Sequence, residues 1–265
     1  MRENKTAFIT GASGGLGGSY AKQLAQKGWN LIINGRNIDK LEELKRSIEQ
    51  DNSVHVTIWQ GDLSKEEDVS RIINEIEKRD DIYRYIAAAG YTIPTPFDTG
   101  DITRQMRMID SQVSSNVRMT HAILKQMNER NEGQIIFVNS TMAFYNAPGN
   151  AIYCACKNFM NSFAESLHTE LMYTNIKVQA LNPGMMHTGF HNTQDFKEIE
   201  SEGFGPDFLY MEPDDVVKDS LKKLNGKKVI VIPGHHNRMS VHMKWLMKFI
   251  FKKTIMSDNM GRPIP

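Results

Sequence analysis

Short runs of β-branched and aromatic residues alternate with longer amphipathic stretches along most of the chain. That alternation restricts the fold to an α/β architecture, a doubly wound parallel sheet with helices on both faces. The spacing predicts strands at 6–10, 31–34, 54–59, 82–88, 134–139, 177–181 and 227–232, about seven in one sheet. A chain of 265 residues has room for one such domain, 1–265, because single cores stop growing at about 250–300 residues. Helices are expected at 16–27, closed by Gly28, at 40–50, at 64–78 with Ser64 and Glu67 as a capping box, at 102–129 and at 151–173. From 184 to 212 the periodicity fails over too long a stretch for an ordinary connection, and the segment reads as a flap over a substrate.

Charge and cysteine usage narrow the function. Lysine plus arginine number 32 against 31 aspartate plus glutamate, so no global basic field draws in nucleic acid and any anion site is local. Cys154 and Cys156 lie two apart in one expected helix, where side chains do not face each other; no bridge is expected, which fits a reducing cytoplasm. No run reaches the roughly 18 apolar residues of a membrane span, and the start of the chain has no signal-peptide pattern. The tail at 237–265 mixes Met243, Trp245, Leu246, Phe249 and Phe251 with lysines; it reads as an amphipathic helix packing on the body or a partner subunit, with a membrane surface as the less favoured alternative. His235 and His236 have no cysteine or carboxylate cluster beside them, so no metal is expected.

Directly after the first strand comes Thr10-Gly11-Ala12-Ser13-Gly14-Gly15-Leu16-Gly17-Gly18, opening a helix. Glycines there allow a tight turn and close approach of backbone to a pyrophosphate, which then meets free amides and the positive helix end. The second strand ends at Asn34-Gly35-Arg36, where such folds read the adenosine ribose. An acidic residue would bind the 2′-hydroxyl of NAD, whereas arginine pairs with a 2′-phosphate, so Arg36 favours NADP(H) over NAD(H).

A second constellation carries acid–base chemistry. Ser140 ends the fifth strand, and Tyr153 and Lys157 stand four apart at the start of the next helix, on one face. An ammonium beside a phenol favours phenolate, and a lowered phenol pKa would make Tyr153 an acid/base usable near neutrality. Ser140 is expected to hold the substrate oxygen. Phe144, Tyr145, Met185, Met186, Phe190, Phe204 and Phe208 are candidates for an apolar pocket wall, and His187 for a contact to substrate or cofactor.

With these residues in place the chain resembles the short-chain dehydrogenase/reductase family over nearly its whole length. The glycine motif falls on Thr10, Gly11, Gly15 and Gly17, the adenine-contacting pair on Asp62 and Leu63, and the serine, tyrosine and lysine on Ser140, Tyr153 and Lys157; Asn182-Pro183-Gly184 and Thr188 match the turn at the nicotinamide side. The resemblance implies a Rossmann-like fold, a cofactor held by Gly11, Ser13, Gly14, Gly15, Leu16, Gly17, Arg36, Asp62, Leu63, Ala89, Gly90, Tyr153, Lys157, Pro183, Gly184 and Thr188, and a homodimer or homotetramer. It also implies hydride transfer between nicotinamide and a carbonyl or hydroxyl group.

Ser19-Tyr20-Ala21 through Arg36-Asn37 resembles the 3-oxoacyl and ketosteroid reductase branch, and the methionine-rich candidate wall points to a hydrophobic ketone or acyl chain as substrate. Val231-Ile232-Pro233-Gly234 with Asn237-Arg238 resembles the end of bacterial members of unknown substrate. Two departures stand out. Ala87-Ala88-Ala89-Gly90 replaces the usual Asn-Asn-Ala-Gly, removing a side-chain brace of the sheet, and Gln112 occupies the position of the family's catalytic asparagine, with Asn116 one turn further on as a substitute. Two other functions stay open: an NAD-linked alcohol dehydrogenase of the same fold, and a nucleotide-binding sensor or subunit without catalysis.

Overall fold

The computed structural model describes residues 5–187, 209–226 and 228–243. Seven strands form one sheet: β1 (Thr6–Thr10), β2 (Asn30–Gly35), β3 (Val56–Gln60), β4 (Ile82–Ala87), β5 (Gly133–Val138), β6 (Ile176–Leu181) and β7 (Ile230–Val231). Their order is β3-β2-β1-β4-β5-β6-β7, and every pair is parallel. The order reverses between β1 and β4. The crevice beyond the carboxyl ends of those two strands is where an open α/β sheet binds ligands.

Strand periodicity sorts the core onto two faces. On one, Phe8, Ile32, Tyr85, Ile135 and Phe137 pack under α3 (Glu66–Glu77), α5 (Ser115–Arg130) and α6 (Ala151–Glu170). On the other, Ala7, Ile9, Leu31, Ile33, Ile86 and Ile136 meet α1 (Gly15–Ala25), α2 (Ile38–Asp51) and α7 (Pro213–Lys223). Phe8 stacks on Tyr85 at 5.4 Å and meets the edge of Trp59 at 5.1 Å. Full burial of such side chains stabilises by about 1.5–3 kcal/mol each, which is why both faces read as near-continuous apolar runs.

Two local expectations need correction. The helix expected at 102–129 is α4 (Ile102–Ile109) and α5 joined by a π turn, Asp110–Ser114, which carries Gln112. π turns inside helices often mark functional positions, because the extra residue changes which side chains face inward. The capping box at Ser64 and Glu67 does not form. Lys65 takes the N-cap position of α3 without a side-chain bond, and the Ser64 hydroxyl donates instead to the Asp62 carboxylate at 2.8 Å. Gly28 closes the first helical segment as expected, with φ +78°.

Of the segment at 184–212, only 184–187 and 209–212 are described; Thr188, Phe190, Phe204 and Phe208 lie outside the described residues, as does the tail beyond Met243. The described start of that tail is a helix, α8 (His235–His242). No helix among the described residues is long and apolar enough to cross a membrane.

Candidate active site

The glycine turn opens at the end of β1, at the switch point. Gly11 has φ +66°, and a Cβ there would lie 2.7 Å from the Ala89 Cα, so the turn closes directly on the strand-end segment after β4. Gly17 presses its bare α-carbon against the Gly11 carbonyl, which seats α1 tightly against the turn. Gly14 and Gly15 remain exposed, α1 has no side-chain cap, and its first turn contains no acid. The first amides of the helix are thus available to an anion. Leu16 and Leu63 put their side chains into the core, which leaves only their backbone for any ligand.

Arg36 is exposed at the end of β2 and makes no ion pair among the described residues. Asp62 lies across from it, with one carboxylate oxygen taken by the Ser64 amide and hydroxyl at 3.0 and 2.8 Å.

The segment after β4, which lacks the asparagines, is held from β1. The buried Thr10 hydroxyl accepts the amides of Ala88 and Ala89 at 3.1 and 3.2 Å, bracing the segment from β1 instead of from its own side chains. A second brace comes from three buried asparagines. Asn161 on α6 accepts from Asn139 at 2.7 Å and from Asn182 at 3.0 Å, tying the ends of β5 and β6 to the helix that carries Tyr153 and Lys157. This brace fixes Ser140 and Pro183 against each other, and the Thr141 amide donates to the Pro183 carbonyl at 2.9 Å.

Within this frame Ser140, Tyr153 and Lys157 converge. The Ser140 side chain hydrogen-bonds the Tyr153 hydroxyl, and the Lys157 ammonium lies 5.5 Å from the Tyr153 ring centre and donates to the Val138 carbonyl at 3.2 Å. Tyr153 and Lys157 are only 6% and 5% exposed. Burial therefore governs both protonation states. It pulls the lysine down to about 8 and pushes the tyrosine above its ordinary value, against the opposing hydrogen bond from Ser140. The expectation of a lowered phenol pKa is overturned: loss of water penalises phenolate more than the lysine, directed toward Val138, favours it. Near neutral pH Tyr153 is a neutral phenol.

Gln112 reaches the same place from the π turn. Its amide nitrogen donates to the Tyr91 carbonyl at 2.8 Å, while its Oε1 is buried without a hydrogen-bond donor among the described residues. A Cβ on Gly90 would lie 3.1 Å from that oxygen and 3.4 Å from Lys157 Nζ, so the acceptor and the ammonium flank one small space. An unsatisfied buried acceptor costs about 1–3 kcal/mol. Asn116 is fully engaged elsewhere: it accepts from Tyr85 and donates to the Gln112 carbonyl, at 2.8 and 2.9 Å, and is structural.

The apolar surroundings differ from those expected. Tyr153 packs with Ile93 and Met108, flanked by Tyr91, Met142 and Ile152, whereas Met186 joins the core under the sheet and Phe144 is half-buried. Tyr145 is buried and bonds Ser240, and Met185 is half-buried. His187 stacks on Tyr210 with ring centres 5.0 Å apart and lies 3.9 Å from Glu212. The ring of residues at 91–93 and 108 was missed because it comes from a loop and a helix face with no polar signature.

A seven-stranded parallel sheet with a glycine turn at its switch point defines a Rossmann-like class. The short-chain dehydrogenase family model matches residues 5–198, about three quarters of the chain, and the protein belongs to the short-chain dehydrogenase/reductase family, an oxidoreductase family. Sulfoacetaldehyde reductase 2 of Chromohalobacter salexigens is 32% identical over 186 residues, 69% of this chain and 73% of that protein. Among solved structures, a short-chain dehydrogenase from Sphingobium yanoikuyae in complex with NADPH superposes with a TM-score of 0.80 at 24% identity, covering 98% of both chains. The bulky-bulky ketone specific alcohol dehydrogenase from Comamonas testosteroni gives 0.77 at 22% identity, covering 98% of this chain and 97% of that one.

Proposed function

We propose that the protein is an NADP(H)-dependent reductase of a carbonyl compound with a hydrophobic substituent. The observation that carries this reading is the convergence of a neutral, buried Tyr153 with Ser140 and Lys157 at the same end of the sheet as the uncapped helix start at Gly14 and Gly15.

The residues fit a dinucleotide. Gly11, Ser13, Gly14, Gly15 and Gly17 would hold its pyrophosphate, Arg36 a 2′-phosphate, Asp62 the adenine, and Ala89, Gly90, Pro183, Gly184, Thr188 and Lys157 the nicotinamide half. When bound, the nicotinamide supplies the hydride. Ser140 donates a hydrogen bond to the substrate oxygen and holds it against Tyr153. The Tyr153 phenol gives its proton to that oxygen as negative charge develops there. Lys157 stabilises the phenolate left behind, and Gln112 offers its free oxygen to a water that returns a proton toward the lysine. Tyr91, Ile93, Met108 and Met142 form the apolar wall against the substrate's carbon skeleton.

A panel containing a 3-oxoacyl thioester, bulky ketones, a steroid ketone and sulfoacetaldehyde, scored by NADPH oxidation, tests the assignment. Turnover of sulfoacetaldehyde alone would remove the hydrophobic specificity, and no turnover by a protein that still binds NADPH would favour a sensor. Arg36→Ala is expected to raise the KM for NADPH by about 10- to 100-fold, the worth of a charge-assisted hydrogen bond, and to leave that for NADH unchanged. Equal losses for both cofactors would leave the 2′-phosphate assignment without support. Gln112→Leu should lower kcat about 100-fold, the lower end of acid–base contributions, at unchanged NADPH affinity. Wild-type kcat in that variant would remove Gln112 from the relay.

A further inference from the structure

The sequence signature Pro233-Gly234 followed by Asn237 has no part in the chemistry above, yet it touches the cofactor turn. Asn237, on the first turn of α8, is 8% exposed. Its amide lies flat against Gly184: a Cβ on that glycine would stand 2.6 Å from Asn237 Cγ and 2.7 Å from Nδ2, and would collide with Oδ1 as well. Nδ2 donates to the Pro233 carbonyl at 2.9 Å and sits 3.3 Å from the Met211 sulfur. Gly234, at φ +77°, would place a Cβ 3.2 Å from the same nitrogen. Two glycines from separate parts of the chain thus leave room for one amide.

The partners of that amide are connected. The Met211 amide donates to Met185 and its carbonyl accepts from His187, at 3.0 and 3.1 Å, so Met211 pairs with the outgoing end of the turn that contains Gly184. The inner side of this turn is pinned by the Thr141 amide on Pro183 and by the Asn182 amide on Val231, at 2.9 and 2.7 Å. One helical turn beyond Asn237, on the same face, Ser240 bonds the hydroxyl of Tyr145, which closes the short helical turn after Ser140. Helix α8 therefore contacts both the cofactor turn and the segment that follows Ser140.

We propose that Asn237 is a positioning residue: its amide, admitted by Gly184 and Gly234, fixes the turn at 182–187 at the height required for the nicotinamide end of the cofactor. The absent side chain at Gly184 serves this contact, in addition to any direct approach to the cofactor. The inference rests on the nicotinamide-binding reading of the site.

A double-mutant cycle read by NADPH affinity and by melting temperature tests it, and needs no substrate. Asn237→Ala should weaken NADPH binding about tenfold, or 1.4 kcal/mol, with a melting temperature within a few degrees of wild type. Gly184→Ala should weaken it more, because its methyl group displaces the Asn237 amide. Adding Asn237→Ala to Gly184→Ala should recover affinity toward the level of Asn237→Ala alone, since the obstruction to the turn is gone. Asn237→Ser, which keeps a donor in a smaller volume, should give an intermediate loss and serves if the alanine variant does not fold. Unchanged affinity in Asn237→Ala or Asn237→Ser, or a double variant no better than Gly184→Ala, overturns the proposal while wild-type NADPH binding leaves the cofactor reading intact. A wild-type protein that does not bind NADPH overturns both.

Discussion

Tyr153→Phe is expected to lower kcat for carbonyl reduction by about a thousandfold or more, toward the upper end of what a positioned acid contributes, while NADPH affinity stays within a few-fold of wild type. The variant deletes only the hydroxyl. Its ring keeps the packing against Ile93 and Met108, so the local fold has no reason to change. Lost with that oxygen is the neutral phenol which burial maintains near neutral pH and which Ser140 orients. Single-turnover oxidation of bound NADPH isolates the chemical step from product release. A phenylalanine variant that retains more than a tenth of wild-type turnover would mean that another group supplies the proton, and the assignment of Tyr153 would fail.

The sequence was most informative where one physical pattern controls one element. Buried parallel strands demand apolar runs, so six of the seven strands fall within two residues of their expected bounds, and β7 is shorter than expected because its described ladder pairs only Ala180 and Leu181 of β6. Glycines at the switch point were legible because Gly11 needs a left-handed φ, which few other residues tolerate. The site's supports were hidden for a different reason. Asn139, Asn161 and Asn182 come from three elements, and nothing in their spacing says that they meet. Thr10 was read as part of a phosphate motif, yet its hydroxyl does the bracing that the alanines after β4 do not. The π turn at Gln112 spans five residues between two helices, with no glycine or proline to mark it, so the sequence reads as one unbroken helix. The direction of the Tyr153 shift reversed because ion pairing can be guessed from spacing, whereas the depth of burial cannot.

Depth of burial also leads to the other large effect. Lys157→Met should abolish turnover, by about a thousandfold or more, and yet raise the melting temperature near neutral pH. Burial lowers the lysine from its ordinary value of 10.5 to about 8 in the folded protein. Between those values the unfolded chain binds the proton more readily than the folded one, so stability rises with pH through that window and is lost as pH falls toward 8. At neutral pH the whole penalty is present, roughly 3 kcal/mol at about 1.36 kcal/mol per pKa unit. Methionine of similar length removes the buried charge but gives up the hydrogen bond from the ammonium to the Val138 carbonyl, a loss of about 2 kcal/mol. The net gain is about 1 kcal/mol, or roughly 2–4 °C in a domain of this size. Thermal unfolding of both proteins at about pH 7 and at about pH 10 distinguishes this from a general packing effect, because the methionine variant's advantage should shrink at the higher pH. A variant less stable than wild type at neutral pH would show that the ammonium is stabilised in place, and the fold would then gain from the same charge that the chemistry uses. If the expected gain is found, the fold carries a destabilising ammonium at the position where the phenolate of Tyr153 needs one.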